Sequence, residues 1–267
     1  MTALPSRAAA GESVRLVVAY DGTAYAGWQR QPNAVAVQQR LEEALERLLG
    51  APARTVGAGR TDAGVHAEGQ VVSSALPRPF AISGLVAGLN HHLPPDIRVR
   101  AATPAPLGYD ARRAAVAKRY RYRLLPGGPP SPALARYVVA VEGALDRGRL
   151  EAATRPLVGR HDFSAFALAG GAARTSVRRI FAARWQREGD ELVLRLCGDG
   201  FLRGMVRGLV GTLLEVASGR RSLDELVRLL GGGARSAAGP TAPARGLCLE
   251  AVDEAPARGA GAPAALW

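Results

Sequence analysis

The sequence predicts an α+β protein in which mixed β-sheets carry helices on their faces. Each half of the chain alternates short runs of β-branched and aromatic residues with two main amphipathic segments. Hydrophobic residues make up 48% of the 267 residues, which is enough for a substantial core. No repeat of fixed period is found, so a repeat architecture is not expected.

The elements of the first half follow from apolar patterns and from the turn residues between them. The helix expected over residues 35–50 has leucines at helical spacing and ends at a glycine, which is typical of the position after a helix. In chain order we expect a strand at 14–22, the helix at 35–50, short strands at 53–59 and 69–75, a helix at 82–94 and a strand at 97–105.

The second half repeats this mixture in a similar but not identical order. A strand is expected at 118–125 and a helix at 145–158, followed by a hairpin over 176–200 that turns at Glu188–Gly189–Asp190. The segment 201–219 predicts a helix with an apolar face formed by Leu202, Met205, Val206, Leu209, Leu213 and Val216. A shorter helix at 223–230 and a strand at 246–252 complete the chain.

These elements suggest two domains with flexible ends. We expect a flexible N-terminus over residues 1–13, an N-terminal α+β domain over 14–115, a C-terminal α+β domain over 116–253 and a flexible tail over 254–267. The N-terminal domain would carry the glycine-rich loop around Asp62.

The charge indicates a polyanionic partner, most simply nucleic acid. The formal charge is +12, and Lys118 is the only lysine among the 35 basic residues. A GC-rich genome explains the choice of arginine over lysine, but it does not explain the excess of basic over acidic residues.

Several classes are excluded by composition. Two cysteines outside any CxxC pair predict a reduced, cytoplasmic protein rather than a disulfide framework. The first residues lack the apolar core of a secretory signal, and no apolar stretch is long enough to span a membrane. The histidine and cysteine spacing does not resemble a zinc site, so no metal is expected.

The stretch "GAGRTDAGVHAEGQ", residues 57–70, places one carboxylate, Asp62, among glycines and two positions after Arg60. On extended backbone the two side chains share a face, where the cation would keep the acid ionised as a nucleophile or general base. A dinucleotide-binding loop is excluded because an acid replaces the third glycine and would repel a pyrophosphate. On the loop alone, an ordinary turn remains the favoured interpretation.

The rest of the chain changes this balance. "GRTDAGVHA" resembles the active-site motif of the tRNA pseudouridine synthase A family, and further segments resemble that family in order and spacing from about Val14 to Val252. These segments are "YDGTAYAGWQRQP", "LNHHLPPDIRV", "YDARRAAVAKRYRYRL", "HDFSAF", "ARTSVRRI", "GDGFLRGMVRGLVGTL" and "TAPARGLCLEAV". Arg203, Gly204, Gly208 and Arg113 depart from the family's usual residues.

The resemblance implies a fold and a reaction. The fold is that of the pseudouridine synthases, two mixed-sheet subdomains beside a basic RNA-binding cleft. The reaction isomerises uridine to pseudouridine at positions 38, 39 and 40 of the anticodon stem-loop of tRNA. The N1–C1′ bond breaks, the base turns and C5 bonds to C1′, so neither a cofactor nor a metal is required.

The resemblance also assigns roles to residues. Asp62 matches the family's catalytic aspartate, which attacks the sugar, adds to the base, or assists glycal formation by deprotonation. Arg60 orients a phosphate or the loop, and Arg207 matches the arginine that ion-pairs the acid. Tyr120 matches the tyrosine that packs against the target base, whereas Tyr122 is expected in the core.

The target base must be flipped out of its stack, and arginines spread over a surface suit recognition of RNA by shape and backbone. The candidate phosphate contacts are Arg30, Arg112, Arg113, Arg174, Arg178 and Arg179. The resemblance further implies a homodimer in which one tRNA touches both protomers. A non-catalytic RNA-binding or chaperone protein of the same fold is the alternative; a metal-dependent nuclease is disfavoured because clustered carboxylates are not seen.

Overall fold

The structure is a computed structural model that describes residues 7–8, 13–77, 80–143, 145–171 and 173–255. The chain divides into two compact units. The first comprises the chain up to Val116 together with a returning segment that starts at Leu249, and the second spans Ala117–Cys248. The expected C-terminal domain, 116–253, therefore differs at its end, because the last strand of the chain returns to the first unit.

The first unit is an antiparallel sheet with helices and a separate two-stranded ribbon. Its elements are β1 (Arg7–Ala8), β2 (Ser13–Tyr20), α1 (Val37–Leu49), β3 (Thr55–Gly57), β4 (His66–Ala75), β5 (Phe80–Ala81), α2 (Ile82–His92), β6 (Ile97–Ala105) and α3 (Ala111–Ala114). All six elements expected in this half are present, and β6 has the expected bounds. The short elements β1, β5 and α3 were not expected.

The core of the first unit lies against β2, whose residues alternate in burial. Residues Val14, Leu16 and Val18 are fully buried and alternate with partly exposed ones, as a strand with one buried face requires. β2 lies between β4 and β6 and is antiparallel to both, with Leu16 opposite Val72 and Ala102. β3 also pairs with β4, so the loop that connects β3 to β4 starts and ends on the sheet.

Helix α1 confirms the predicted amphipathic segment. Its apolar residues Leu41, Leu45 and Leu49 are buried. The helix ends where Gly50 adopts a left-handed conformation, with φ of 73°, and the Gly50 N–H donates to the carbonyl of Glu46. A residue with a side chain is strained in this conformation, which explains the position of the helix end.

The second unit contains mainly antiparallel strands and three α-helices. Its elements are β7 (Ala115–Pro126), β8 (Val139–Val141), α4 (Arg147–Thr154), β9 (Gly159–Asp162), β10 (Val177–Glu188), β11 (Glu191–Gly198), α5 (Met205–Ala217) and α6 (Leu223–Leu229). The last strand, β12 (Leu247–Glu254), starts in this unit and belongs to the first unit from Leu249 onward. The strand order is β7-β11-β10-β9, and β8 runs parallel to β7. β7 and β12 each cross the boundary between the two units.

The predicted hairpin is confirmed by β10 and β11, and its turn is shorter than the expected three residues. Glu188 lies opposite Glu191, so only Gly189 and Asp190 connect the strands. Gly189 has a φ of 59°, the left-handed conformation that two-residue hairpins require.

Two helices of the second unit are shorter than expected. The region 145–158 is helical only over Arg147–Thr154, because Asp146 caps the start and a 3₁₀ turn that contains Pro156 replaces the end. The region 201–219 becomes helical only at Met205, because Gly204 is left-handed with φ of 70°. Leu202 therefore precedes the helix and is only half-buried, so its expected place on the helical face is wrong.

The ends of the chain are described only in part. Arg7–Ala8 pair antiparallel with Phe80–Ala81, and Ser13 begins β2. Residues 1–6, 9–12 and 256–267, which carry most of the two segments expected to be flexible, lie outside the described residues.

Candidate active site

Asp62 lies in the loop between β3 and β4, where the chain turns sharply. Its side chain is half-buried, while that of Arg60 is exposed. The Asp62 carbonyl accepts a hydrogen bond from Val65 N (3.1 Å) across a turn in which Gly64 has a φ of 76°. The turn directly after Asp62 therefore depends on a residue that tolerates the left-handed conformation.

The residue before Asp62 is anchored through both its backbone and its side chain. Thr61 is buried, and its Oγ1 lies 2.8 Å from the hydroxyl of Tyr20 in a buried hydrogen bond. The Thr61 carbonyl accepts a second bond from Trp28 N (3.1 Å). On the other side of Asp62, Gly64 N donates to the carbonyl of Tyr25 (3.2 Å). The acid is thus held between two fixed points of the backbone.

Two glycines after β2 allow this close approach. Gly27 has a φ of 93°, and a Cβ on it would lie 2.4 Å from the Thr61 carbonyl oxygen. A Cβ on Gly22 would lie 2.0 Å from the carbonyl oxygen of Val65. Only glycine fits at either position, so the segment that follows β2 packs directly against the backbone of the Asp62 loop.

The beginning of the loop rests on two buried side chains. Gln70 is fully buried, and its amide serves both backbone groups of Gly59, donating to the carbonyl at 2.7 Å and accepting from the N–H at 3.4 Å. A Cβ added to Gly57 would lie 2.6 Å from Nε1 of Trp28, so the indole packs directly against the backbone at this glycine. Buried backbone groups that are satisfied in this way keep the loop in one conformation.

A further buried contact lies under the far end of the loop. The Nδ1 atom of His66 is 3.1 Å from the Gly22 nitrogen and 3.1 Å from Oδ1 of Asp21. Asp21 also accepts from the backbone N–H and the hydroxyl of Thr23. His66, the histidine of the "GVHA" stretch, therefore ties the first residue of β4 to the turn after β2.

The other two predicted catalytic residues belong to the second unit. Arg207 is half-buried in the first turn of α5; its Nε donates to the Ala242 carbonyl (2.7 Å), and its own carbonyl accepts from Ala242 N (3.1 Å). Helix α5 lies close to this segment, since a Cβ on Gly211 would be 1.7 Å from the Pro240 carbonyl oxygen. Arg203, by contrast, is exposed and precedes the helix.

The two tyrosines of β7 are both buried on one face of the strand. Tyr120 is 5% exposed, and its ring meets that of Phe201 edge-on at 5.1 Å. Tyr122 is fully buried and donates its hydroxyl to the Pro243 carbonyl (2.7 Å), which confirms its place in the core. Burial raises the pKa of the Tyr122 hydroxyl, which is therefore neutral at physiological pH.

The candidate RNA-contacting arginines lie mainly on exposed surface. Arg30 is exposed but donates from Nη1 to Oε2 of Glu42 (3.1 Å). Arg178 is half-buried and donates to the carbonyls of Thr175 and Val177. The exposed members are Arg112 and Arg113 in α3 of the first unit and Arg174 and Arg179 in the second.

Asp62 was singled out from the sequence, but the residues that hold its loop in place were not. The resemblance singled out "YDGTAYAGWQRQP" without giving roles to Tyr20, Gly22 or Gly27. Thr61 and Gln70 were not singled out either. The clue that could have found them is composition, because a buried glutamine in an apolar strand and two glycines after a strand both indicate a backbone that another segment approaches.

Two findings concern other classes of site. Within the described residues, no cluster of three or more histidine, cysteine, aspartate or glutamate side chains is arranged to hold a metal ion. None of the described helices combines the length and the apolarity that a membrane span needs.

Comparisons with known proteins identify the family. The family model described as tRNA pseudouridine synthase matches residues 16–112 and 153–253. A tRNA pseudouridine synthase A from Syntrophotalea carbinolica is 46% identical over 91% of this chain and 96% of its own length. The proteins of that name from Geobacter sulfurreducens and Methylobacterium nodulans are 44% and 45% identical, over 90% of this chain and 98% and 94% of theirs. The chain belongs to the tRNA pseudouridine synthase family and is an isomerase that converts uridine to pseudouridine in tRNA.

Proposed function

We propose that the protein acts on the anticodon stem-loop of tRNA, at positions 38, 39 and 40, with Asp62 as its catalytic acid residue. The observation that carries this proposal is the Asp62 loop: it has the family's motif, and its backbone is fixed on both sides of a half-buried carboxylate. A carboxylate held in place can act on a glycosidic bond as a nucleophile or as a base.

The proposed chemistry begins when the target uridine leaves its stack. Extrusion of a base costs a few kcal/mol, which contacts to phosphate and stacking of the base offset. The Asp62 carboxylate then attacks C1′, adds to the base, or takes a proton from the sugar as a glycal forms. In every route N1 leaves C1′, the uracil turns, C5 bonds to C1′ and the C5 proton is released to solvent.

Arg207, Arg60 and Tyr120 are proposed to support that carboxylate and the base. Arg207 would pair with Asp62 and keep it ionised, and its bond to the Ala242 carbonyl supports a fixed orientation of its guanidinium group. Arg60, exposed on the same loop, would contact a phosphate of the RNA. Tyr120 would pack against the base, with its ring held in place by Phe201.

Binding is proposed to depend on arginines and on assembly. Arg112, Arg113, Arg174 and Arg179 are exposed and can reach phosphates, whereas Arg30 and Arg178 would first give up contacts within the protein. We propose that these arginines line a basic cleft, that the protein is a cytoplasmic homodimer, and that each tRNA touches both protomers. No cofactor is needed, because the reaction rearranges one nucleoside without gain or loss of atoms.

The proposal is tested by tritium release from tRNA transcripts that carry 5-tritiated uridine at a single position. We expect release from transcripts labelled at 38, 39 or 40, and none from a transcript labelled elsewhere. Release that persists when positions 38–40 are all cytidine would contradict the proposed target. A protein that binds tRNA but releases no tritium from any transcript would support a non-catalytic RNA-binding role instead.

A further inference from the structure

A cavity of about 450 Å³ lies in the first unit among residues to which the proposed chemistry gives no role. Helix α1, the end of α2 and the segment after β2 form its walls. The side chains that matter here are Arg40, Glu43 and Arg47 of α1, His92 of α2, and Tyr25 and Leu93. We call this cavity the α1 pocket. Its volume lies in the range of small-ligand sites and suits a group the size of one nucleotide.

The α1 pocket has a positive lining. Arg40, Glu43 and Arg47 follow at i, i+3 and i+7, so they share one face of the helix. Both carboxylate oxygens of Glu43 are engaged, one by Gln39 Nε2 and the other by Arg40 Nη1, each at 2.9 Å. Burial alone would raise the pKa of Glu43, but these two bonds and the charges of Arg40 and Arg47 outweigh it and lower that pKa. Glu43 is therefore a fixed single charge that offsets one arginine.

Arg47 is the arginine of the α1 pocket whose charge Glu43 does not offset. It is exposed in the last turn of α1, and across the described ranges it forms no ion pair within 4.0 Å. His92 adds a second group that can donate to an anion; its ring meets that of His91 edge-on at 5.1 Å. Among the side chains that line the α1 pocket, one acid stands against two arginines and a histidine, so this lining favours an anionic group.

The apolar wall of the α1 pocket is rigid. Tyr25 is 7% exposed, and its hydroxyl donates to Oδ1 of Asp96 (2.7 Å). Burial and this bond raise the pKa of Tyr25, so the phenol stays neutral and fixed. Leu93 is also buried. An apolar wall beside cations is the combination that accepts the sugar and phosphate of a nucleotide.

The α1 pocket is continuous with the support of the Asp62 loop. The carbonyl of Tyr25, the residue in its wall, accepts the hydrogen bond from Gly64 N that holds the turn after Asp62. A further bond, from Ala26 N to the Val35 carbonyl (2.9 Å), closes the segment that carries Tyr25. A ligand that contacts Tyr25 therefore touches the element on which the catalytic loop rests.

We propose that the α1 pocket binds a phosphodiester of the tRNA at a nucleotide other than the reacting uridine, with Arg40 and Arg47 as its phosphate contacts. This inference rests on the proposed function, because it takes tRNA as the ligand. It adds a second anchoring point in the first unit, separate from the reacting base.

The test compares Arg47→Gln and Arg40→Gln with a matched control, Arg54→Gln. Arg54 is an exposed arginine of the same unit that does not line the α1 pocket. Affinity for unmodified tRNA is measured by filter binding between about 50 and 200 mM salt. We expect each pocket variant to bind roughly three- to tenfold more weakly and to lower the salt slope by about one, whereas Arg54→Gln changes neither. Arg47→Lys should retain the slope, since the charge remains.

The possible outcomes distinguish failure of the α1 pocket inference from failure of the proposed function. Arg47 is exposed, so Arg47→Gln stays informative even if Arg40→Gln unfolds through loss of its bond to Glu43. Pocket variants that match Arg54→Gln in affinity and slope, with a wild-type protein that binds tRNA and releases tritium, would overturn the inference and leave the function intact. Binding of uridine monophosphate that Arg47→Gln removes, with tRNA affinity unchanged, would overturn it in favour of a free-nucleotide site. A wild-type protein without tritium release would overturn the proposed function itself.

Discussion

At the scale of single residues, the position of Asp62 depends on bonds made by its neighbours. Thr61 is held by a side-chain bond to Tyr20 and a backbone bond to Trp28, and both lie in the core of the first unit. A buried hydrogen bond contributes only about 1 kcal/mol net, but a buried group that loses its partner is costly. The Tyr20–Thr61 bond should therefore matter for stability and for the placement of the acid.

Tyr20→Phe is expected to lower both the free energy of unfolding and turnover. Loss of the hydroxyl leaves the buried Thr61 Oγ1 without this partner, at a cost of about 1–3 kcal/mol, and loosens the residue next to Asp62. Urea denaturation and tritium release measure the two effects. Tyr122→Phe is the matched control, because it removes a buried tyrosine hydroxyl bond in the second unit and should lower stability with turnover unchanged.

A double-mutant cycle isolates the bond itself. If Tyr20 and Thr61 act through one hydrogen bond, Tyr20→Phe combined with Thr61→Val should cost less than the sum of the single changes. Additive losses, or equal turnover in Tyr20→Phe and Tyr122→Phe, would show that this bond does not position Asp62.

Asp62 could be singled out from the sequence as the candidate acid, but the contacts that hold its loop could not. Asp62 stands in a contiguous motif, so its type and spacing are visible in fourteen letters. Tyr20 and Thr61 are 41 residues apart, and nothing local to either residue indicates the bond between them. Arg60 is exposed and Asp62 is half-buried, and neither lies in a strand, so the face that they were expected to share on an extended backbone stays a prediction.

At the scale of elements, the glycines of the segment after β2 allow it to pack closely against the Asp62 loop. Gly27→Ala is expected to lower turnover, because the added Cβ would meet the Thr61 carbonyl at 2.4 Å and displace the loop. Gly50→Ala is the matched control: Gly50 has a similar positive φ of 73°, but nothing lies within 4 Å of an added Cβ. Both changes should cost roughly 1–2 kcal/mol in backbone strain, and only Gly27→Ala should impair tritium release. Equal turnover in the two variants would contradict the inference that close packing of this segment positions the Asp62 loop.

Helix α5 carries the prediction for Arg207. Arg207→Ala should reduce the single-turnover rate on the order of a hundredfold and tRNA affinity much less, because it removes the proposed partner of Asp62. Arg203→Ala, which changes an exposed arginine outside the helix, should leave the rate constant unchanged. Thermal melting checks that both variants are folded. An unaffected rate in Arg207→Ala would assign the role to another arginine, with Arg60 the first to examine.

The type of an element could be predicted where its apolar pattern is long, but the residues at which the element begins and ends could not. The pattern of α5 continues through Leu202, but the left-handed Gly204 interrupts the backbone before the helix begins. Helix α4 ends early because of Pro156 and a 3₁₀ turn. β1 and β5 have only two residues each, too few for any period to be recognised.

At the scale of the whole molecule, the net charge of +12 and membership of the tRNA pseudouridine synthase family indicate a surface that binds RNA. A homodimer is expected, since the family resemblance implies that one tRNA touches both protomers. Light scattering at the enzyme concentration of the assay should give twice the mass of the 27.9 kDa chain. A monomer that is fully active at that concentration would contradict the requirement for a dimer.

The first unit ends at Val116, inside β7, and the second domain was expected to start at residue 116. The return of the last strand to the first unit was not expected, because composition carries no signal for a chain that rejoins an earlier unit. The phosphate contacts are the least predictable part. Arginines that bind RNA and arginines that pair with glutamates, as Arg30 does with Glu42, have the same appearance in a sequence.

The most direct test of the account is Asp62→Asn, assayed for tritium release and for tRNA binding. The change keeps the shape of the side chain and removes its charge, so turnover should fall by at least about 10³-fold, while tRNA affinity stays within a few-fold because the arginines are untouched. Tritium release by Asp62→Asn at a rate near that of the wild type would contradict the assignment of Asp62 as the catalytic residue.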